Sequence, residues 1–269
     1  MNADRVFSGS VAEIYDRLLV PLIFEPYALD LADRISGTEP RRVLETAAGT
    51  GALTRALASR LPGSVTIVAT DLNQPMLDRA VAQHGLDRSL TWRQTDALAL
   101  PFEDRSFDVV ACQFGVMFFP DKIQGYREAH RVLETGGHFL FNVWDRLSEN
   151  EFADGITTAL AAMFPSDPPR FLDRAPYGHG DPDAIREQLT AAGFSRCTID
   201  AVDATSRAPS PRHAAVAYCH GTPLRNEIEA RDASGLENAT NRATDALASR
   251  FGDGPIEGRI RAFVIDAVR

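Results

Sequence analysis

The residues best suited to chemistry stand at three places in the first half of the chain. Glu45 closes an apolar run, and Thr46-Ala47-Ala48-Gly49-Thr50-Gly51 follows it before helical spacing begins. Glycines in such a turn let the backbone approach a ligand closely, and the helix start beyond it offers N–H donors. Asp71 lies about 20 residues past Gly51, where a carboxylate can accept both hydroxyls of a ribose. Asp96 opens a third segment and can accept from the exocyclic amine of an adenine, while Ala97 and Leu98 offer backbone and apolar surface to the ring. Each feature also has a plain reading: a tight turn holding no ligand, an aspartate capping its own turn, a polar loop. The ordered series points to a nucleoside-containing ligand.

These residues need rigid elements behind them. Apolar runs predict strands over 42–46, 65–70 (ending at Asp71), 89–95, 107–112 and 139–143. Between them lie helical patterns: Leu53, Ala56 and Leu57 share one stripe, Asn73 and Pro75 suit a helix start, and residues 122–133 form a helix expected to end at Gly136-Gly137. Continuous apolar strands alternating with helices predict a parallel sheet covered on both faces. The second half predicts helices over 151–164 and 182–192, a strand over 197–202 and a last strand over 260–268. Residues 210–250 look helical, with breaks near Gly221-Thr222-Pro223 and Gly235. No clean linker separates two domains, so the added helices read as insertions on one core.

Composition narrows the field. The 269 residues are 44% hydrophobic and 24% charged, as in a folded soluble protein, and the net charge is -9. Nucleic-acid binding needs clustered Lys and Arg, and no basic run is present. No stretch approaches the roughly 20 apolar residues of a membrane span, and the N-terminus does not read as a signal peptide. Cys112, Cys197 and Cys219 are odd in number and widely spaced, which fits reduced thiols and a cytoplasmic protein.

The segments VLETAAGTG, VATDLNQPML, QTDALALPFEDRSFDVV and REAHRVLETGGHFLF resemble the class I S-adenosylmethionine-dependent methyltransferases, especially those related to ubiquinone and menaquinone biosynthesis. The resemblance covers roughly residues 43–144. It implies an α/β, Rossmann-like sheet of seven strands, the last antiparallel and inserted beside the sixth. It implies S-adenosylmethionine as cofactor and S-adenosylhomocysteine as product. Glu45, Ala47, Gly49 and Gly51 would then surround the methionyl part, and Asp71 and Leu72 would hold ribose and adenine, with Met76 in the same set. Asp96, Ala97 and Leu98 would meet the adenine edge, and Gln113, just past the fourth strand, would touch the methionine end. The implied layout is N-terminal lid helices over 1–40, a cofactor-binding core over 41–147, and the rest of the sheet over 148–269 with helical cap insertions at about 148–180 and 207–255. Residues 7–24 form the lid helix, with Tyr15 either contributing to the cofactor pocket or packing on the core.

One departure stands out: the first glycine of the commoner E-x-G-x-G-x-G pattern is Ala47, followed by Ala48. Those side chains suit the turn only if neither position needs a positive φ. NAD-dependent dehydrogenases are the rival on this type of fold, but their fingerprint requires a third glycine where Thr54 stands.

Methyl transfer is an in-line displacement at an activated carbon, so the protein needs no nucleophile and needs a base only if the acceptor loses a proton. For that base His179 comes first and His220 second, though each reads more readily as an ordinary solvated or satisfied loop histidine than as a catalyst. The apolar run 114–120 follows the fourth strand and suits a small-molecule or lipid-like acceptor. The helices over 151–164 and 210–250 either select that acceptor or form a homodimer face. A protein that binds S-adenosylmethionine without turnover is the alternative of a different class.

Overall fold

The computed structural model describes residues 10–84 and 90–269. Its sheet comprises β1 (Arg42–Glu45), β2 (Thr66–Asp71), β3 (Leu90–Gln94), β4 (Phe107–Gln113), β5 (Leu133–Trp144), β6 (Arg196–Ala208) and β7 (Ile256–Val268), in the order β3-β2-β1-β4-β5-β7-β6. The first five strands run parallel, with Val43 opposite Ile67 on one side and Val109 on the other. β7 is antiparallel to β5: Gly136 N–H donates to the Arg269 carbonyl at the start of β5, and Asp145 N–H to that of Arg261 just past its end. The seven-stranded sheet with its last strand inserted beside the sixth is therefore present.

The chain folds as two units. The sheet unit holds Glu25–Val143, Gly180–Val202 and Ala262–Arg269. In it, α2 (Glu25–Ser36) and α3 (Ala52–Arg60) bury Leu31, Ile35, Leu53 and Leu57 in one core with Val43, Ile67 and Val109. Full burial of such side chains contributes about 1.5–3 kcal/mol each. α4 (Gln74–His84) and α5 (Lys122–Val132) follow β2 and β4. Asp121 caps α5 by accepting from Gln124 N–H. The helix α8 (Pro182–Ala192) has Asp181 as its cap and Gly193, at φ 105°, as its left-handed stop.

The second unit takes the chain up to Phe24, then Trp144–His179 and Asp203–Arg261. It contains α1 (Ser10–Ile14), α6 (Glu151–Met163), α7 (Phe171–Arg174), α9 (Pro211–His220), α10 (Leu224–Arg231) and α11 (Leu236–Phe251). α9 and α11 pack together, and both bury small residues, among them Ala214, Ala217, Ala239 and Ala243. The breaks between α9, α10 and α11 fall at the glycine and proline positions expected from sequence. Asn150, fully buried, ties the start of α6 to β7: its Oδ1 accepts from Arg261 N–H at 3.1 Å, and its Nδ2 donates to the Asp145 and Arg261 carbonyls.

Several expectations shift. The helix before β5 stops at Val132 and does not reach Gly136-Gly137. β5 begins at once, and Phe107 pairs with Leu133 while Val109 pairs with His138. The extra residues form a bulge, and Gly136 takes its left-handed position at φ 81°. β6 and β7 are both longer than predicted, because polar residues alternate along them and mask a continuous apolar run. Residues 15–24 form a π-helix, Tyr15–Phe24, with Pro21 inside it; proline has no N–H to close the tighter α ladder. The start of the expected lid, residues 1–9, lies outside the described residues, as does Ser89 of the third strand. α2, which fell inside the expected lid segment 1–40, packs in the sheet unit.

Candidate cofactor site

β1, β2 and β3 are neighbours, and each ends near a carboxylate. Glu45 is the last residue of β1, Asp71 the last of β2, and Asp96 follows β3 by two residues. β1 and β4 lie side by side where the strand order reverses, the crevice in which open α/β sheets receive ligands.

The turn after β1 is built by backbone and by threonine hydroxyls. Thr46 N–H donates to the Ala111 carbonyl, Ala48 N–H to Thr70, and the Thr70 hydroxyl to the Glu45 carbonyl. Ala47, Gly49 and Gly51 all adopt positive φ, at 54°, 58° and 84°. The condition set on Ala47 therefore fails: an alanine occupies the left-handed region, at a cost of roughly 1–2 kcal/mol. Its methyl group sits in space left by Gly115, where an added Cβ would stand 2.4 Å from the Ala47 Cβ and 2.7 Å from the Cys112 Sγ. A Cβ on Gly49 would meet only the Met76 methyl, at 3.7 Å, so this edge of the turn is open for close approach. Met76 itself is buried, whereas Leu72 is exposed.

Glu45 is fully buried, and burial pushes its carboxyl up to about 8 despite the hydrogen bond from Thr54. Oε2 accepts the Thr54 hydroxyl at 2.6 Å, while Oε1 has no hydrogen-bond partner among the described residues. Thr54 occupies the third-glycine place of the dinucleotide fingerprint, and here its side chain holds Glu45. Burial likewise raises the carboxyl of Asp71, opposed by N–H donors: Oδ2 accepts from Gly49 at 2.8 Å and Oδ1 from Asn73 at 2.7 Å. Asn73 sits just ahead of α4, where a cap was expected, and its side-chain amide also donates to Asp71. Asp96 bends its own loop, with Oδ1 accepting Leu98 N–H at 2.9 Å. Ala97 and Leu98 are half-buried beside it.

Gln113 is the last residue of β4 rather than just past it. The next residue, Phe114, is buried at φ 50°, packed edge-on against Tyr27 at 5.5 Å. Its N–H is held by the Asn142 side-chain oxygen at 2.9 Å. Sequence reasoning missed Thr54, Asn73, Asn142 and Gly115 as supports. Their signal is only their place one turn or one strand away from the motif residues.

Tyr15, His179 and His220 belong to the helical unit, whereas the other residues expected to meet the cofactor belong to the sheet unit. Tyr15 packs on Phe24 at 5.2 Å, Phe24 on Trp144 at 5.9 Å, and Trp144 on Tyr177 at 5.8 Å. His179 is half-buried at the end of one segment of that unit. His220 Nε2 lies 2.9 Å from the Thr240 hydroxyl, which itself donates to the Leu236 carbonyl. The ring therefore donates through Nε2 and keeps Nδ1 as its acceptor, and burial lowers its proton affinity.

S-adenosylmethionine offers an ammonium, a ribose diol and an adenine amine, all donors or cations. The site offers three carboxylates in sequence, and the orphaned Oε1 of Glu45 and the open edge at Gly49 are the features such a ligand would complete. The residues fit the group. A pyrophosphate, by contrast, would meet carboxylates.

Comparison with known proteins agrees. Residues 43–137 match the family described as "Methyltransferase domain". The chain is 33% identical over 169 residues to the ubiquinone/menaquinone biosynthesis C-methyltransferase UbiE of Stenotrophomonas maltophilia, covering 58% of this chain and 66% of that protein, just under two thirds of its length. It is 30% identical over 207 residues to the protein of the same name from Ectopseudomonas mendocina, covering 72% and 75%. The fold is shared with the phosphoethanolamine N-methyltransferase 2 of Haemonchus contortus, solved with S-adenosyl-L-methionine, at a TM-score of 0.63, 18% identity, and coverage of 99% of this chain and 58% of that one. With its motif residues standing at three adjacent strand ends of this sheet, the chain belongs to the class I S-adenosylmethionine-dependent methyltransferases.

Proposed function

We propose that the protein transfers the methyl group of S-adenosylmethionine to a small, largely apolar or lipid-like acceptor. The observation that carries the proposal is the set of carboxylates at the ends of β1, β2 and β3. When bound, the cofactor supplies a methyl group made electrophilic by its sulfonium. The chain's own part is to hold and orient. Asp71 accepts from the ribose hydroxyls, Asp96 with Ala97 and Leu98 frames the adenine, and Glu45 faces the methionyl end, with Ala47, Gly49 and Gly51 as the floor of the turn. Leu72 and Met76 supply apolar contact, and Gln113 meets the methionine end. Holding the reacting atoms in line and away from water is the principal source of rate in such a displacement.

Relatives named as ubiquinone/menaquinone biosynthesis C-methyltransferases support an apolar acceptor, as does the aromatic series Tyr15, Phe24, Trp144 and Tyr177 in the helical unit. His179 is the first candidate for a base and His220, acting through Nδ1, the second. Removing a working base lowers turnover by about 10²–10⁴. Among the described residues no helix is long and apolar enough to cross a membrane. The cytosol is the proposed compartment, supported by three free cysteines.

The test is calorimetric titration with S-adenosylmethionine, S-adenosylhomocysteine and NAD, on wild type and Asp71→Ala, followed by methyl transfer to a panel of quinol and phenol acceptors. Losing the charge-assisted bonds of Asp71 should weaken the sulfur ligands by roughly tenfold to over a hundredfold. Preference for NAD sinks the assignment. Binding without transfer across the panel reduces the protein to a cofactor-binding one.

A further inference from the structure

One face of α5 has work that the cofactor site does not account for. Gln124, Glu128 and Arg131 stand at i, i+4 and i+7, on a single stripe. All three reach the loop that carries Asp96. Gln124 Nε2 donates to the Leu98 carbonyl at 3.1 Å, and Glu128 Oε2 accepts Leu100 N–H at 2.7 Å. Arg131 donates to the Leu100 carbonyl and the Phe102 carbonyl, each at 2.8 Å, and to the Asp104 carboxylate at 2.7 Å. Arg131 and Glu128 also hold each other, through Nε to Oε1 at 2.9 Å and Nη2 to Oε2 at 2.8 Å.

The pattern is regular. Residues 98, 100 and 102, every second residue of the loop, each give a backbone group to this stripe. Such a loop has no strand partner to satisfy its N–H and C=O groups, so side chains must do so if the loop is to keep one shape. Asp96 bonds Leu98 N–H from the other side, so the carboxylate and the tethered segment share a residue. A shift of Leu98 against the stripe would therefore reach the carboxylate within two residues. Glu128 is only 14% exposed and is held ionised by Arg131, the larger influence on its lowered proton affinity.

We propose that Gln124, Glu128 and Arg131 are positioning residues that preset the loop over residues 96–102 for recognition of the adenine amine, setting base selectivity without touching the cofactor. The proposal rests on the reading of residues 96–98 as the base-facing edge of the S-adenosylmethionine site. It separates two jobs: Asp71 sets how tightly a nucleoside is held, and the α5 stripe sets which base is accepted.

The readout is a ratio. S-adenosylhomocysteine carries the exocyclic amine, and S-inosylhomocysteine carries a carbonyl oxygen in its place. Loss of a charge-assisted bond to Asp96 should make wild type favour the adenosyl compound by roughly tenfold or more. Dissociation constants for both compounds are measured by calorimetry on wild type, Arg131→Gln, Arg131→Lys, Glu128→Gln and Gln124→Ala. Arg34→Gln is the control: it breaks an ion pair to Asp200 within the same unit, away from the loop. The expected result is a fall of threefold or more in the ratio for Arg131→Gln and Gln124→Ala, an intermediate value for Arg131→Lys, and no change for Arg34→Gln. A purely structural defect weakens both compounds by one factor and leaves the ratio intact, and that outcome overturns the proposal. So does a wild-type ratio near one. Should Arg131→Gln fail to fold, Gln124→Ala carries the test, since it removes only the Leu98 tether. Wild type that binds neither compound refutes the cofactor assignment itself, a result distinct from binding with an unchanged ratio.

Discussion

Carboxylates do different work in the two units. At the strand ends of the sheet unit they hold backbone or hydroxyl groups: Asp71 takes Gly49 and Asn73, Asp96 takes Leu98, and Glu45 takes Thr54. In the helical unit they answer arginines. Glu227 meets Arg174 and Arg231, Glu151 meets Arg250, Asp203 meets Arg261, and Glu237 meets Arg212. The first arrangement fixes loop shape and leaves acceptor oxygens ready for a donor-rich ligand. The second neutralises its charges internally. Surface ion pairs of that kind contribute at most about 1 kcal/mol each, so their role is shape and charge balance more than stability.

The comparison can be broken most sharply at Glu45. Its carboxyl is raised to about 8 in the fold, against about 4.3 in an unfolded chain. Between those values the folded state holds a proton that the unfolded state has lost, so this group makes stability fall as pH rises, and the loss levels off above pH 8. Glu45→Gln should remove the slope, leaving the variant more stable by a few kcal/mol at pH 9 and nearly equal to wild type at pH 4. Thermal melts across pH 4–9 decide it; parallel curves would mean that Glu45 is not the titrating group. Gly51→Ala comes next. A Cβ there stands 3.0 Å from Trp92 at a φ of 84°, so we expect a loss of about 2–3 kcal/mol in denaturant unfolding together with weaker cofactor binding.

Glu227→Ala tests the other side of the comparison. It removes an acceptor for Arg170 N–H, Phe171 N–H and the Arg174 side chain, and should cost about 1–2 kcal/mol while leaving cofactor affinity unchanged. An altered affinity would show that the division of labour between the units is false. The smallest effect belongs to Ala47→Gly, which relieves a left-handed alanine but adds freedom to the unfolded chain. We expect a net change within about 1 kcal/mol, read from the same denaturant curves.

Cofactor chemistry is legible in the sequence because its requirements are local. A ribose demands an acceptor at a strand end, a turn demands small residues, and both leave short contiguous signals such as VLETAAGTG and VATDLN. The capped helix α8 is readable to the residue for the same reason, since Asp181 and Gly193 announce its ends. What stays hidden depends on distant pairing. No local pattern reveals that Thr54 holds Glu45, that Asn142 holds the Phe114 N–H, or that α5 tethers the loop after β3. The β5 bulge misleads because Gly136-Gly137 carries the signature of a helix end, whereas the helix has already yielded to pairing with Phe107. The acceptor side is unread because the chemistry there is set by shape, and His179 and His220 carry no spacing that ties them to any partner.

The gap shared by Ala47 and Gly115 also bears on how this sequence can change over time. The two positions lie 68 residues apart, yet the space between them admits a Cβ from one side only. A lineage with glycine at 47 is free to vary at 115 as far as Cys112 allows; once alanine is fixed at 47, that freedom is gone. The order of substitutions therefore matters, and a change to glycine at 47 must precede any enlargement at 115. Among relatives, side-chain size at these two sites should be anticorrelated, a trace of contingency written by a single methyl group.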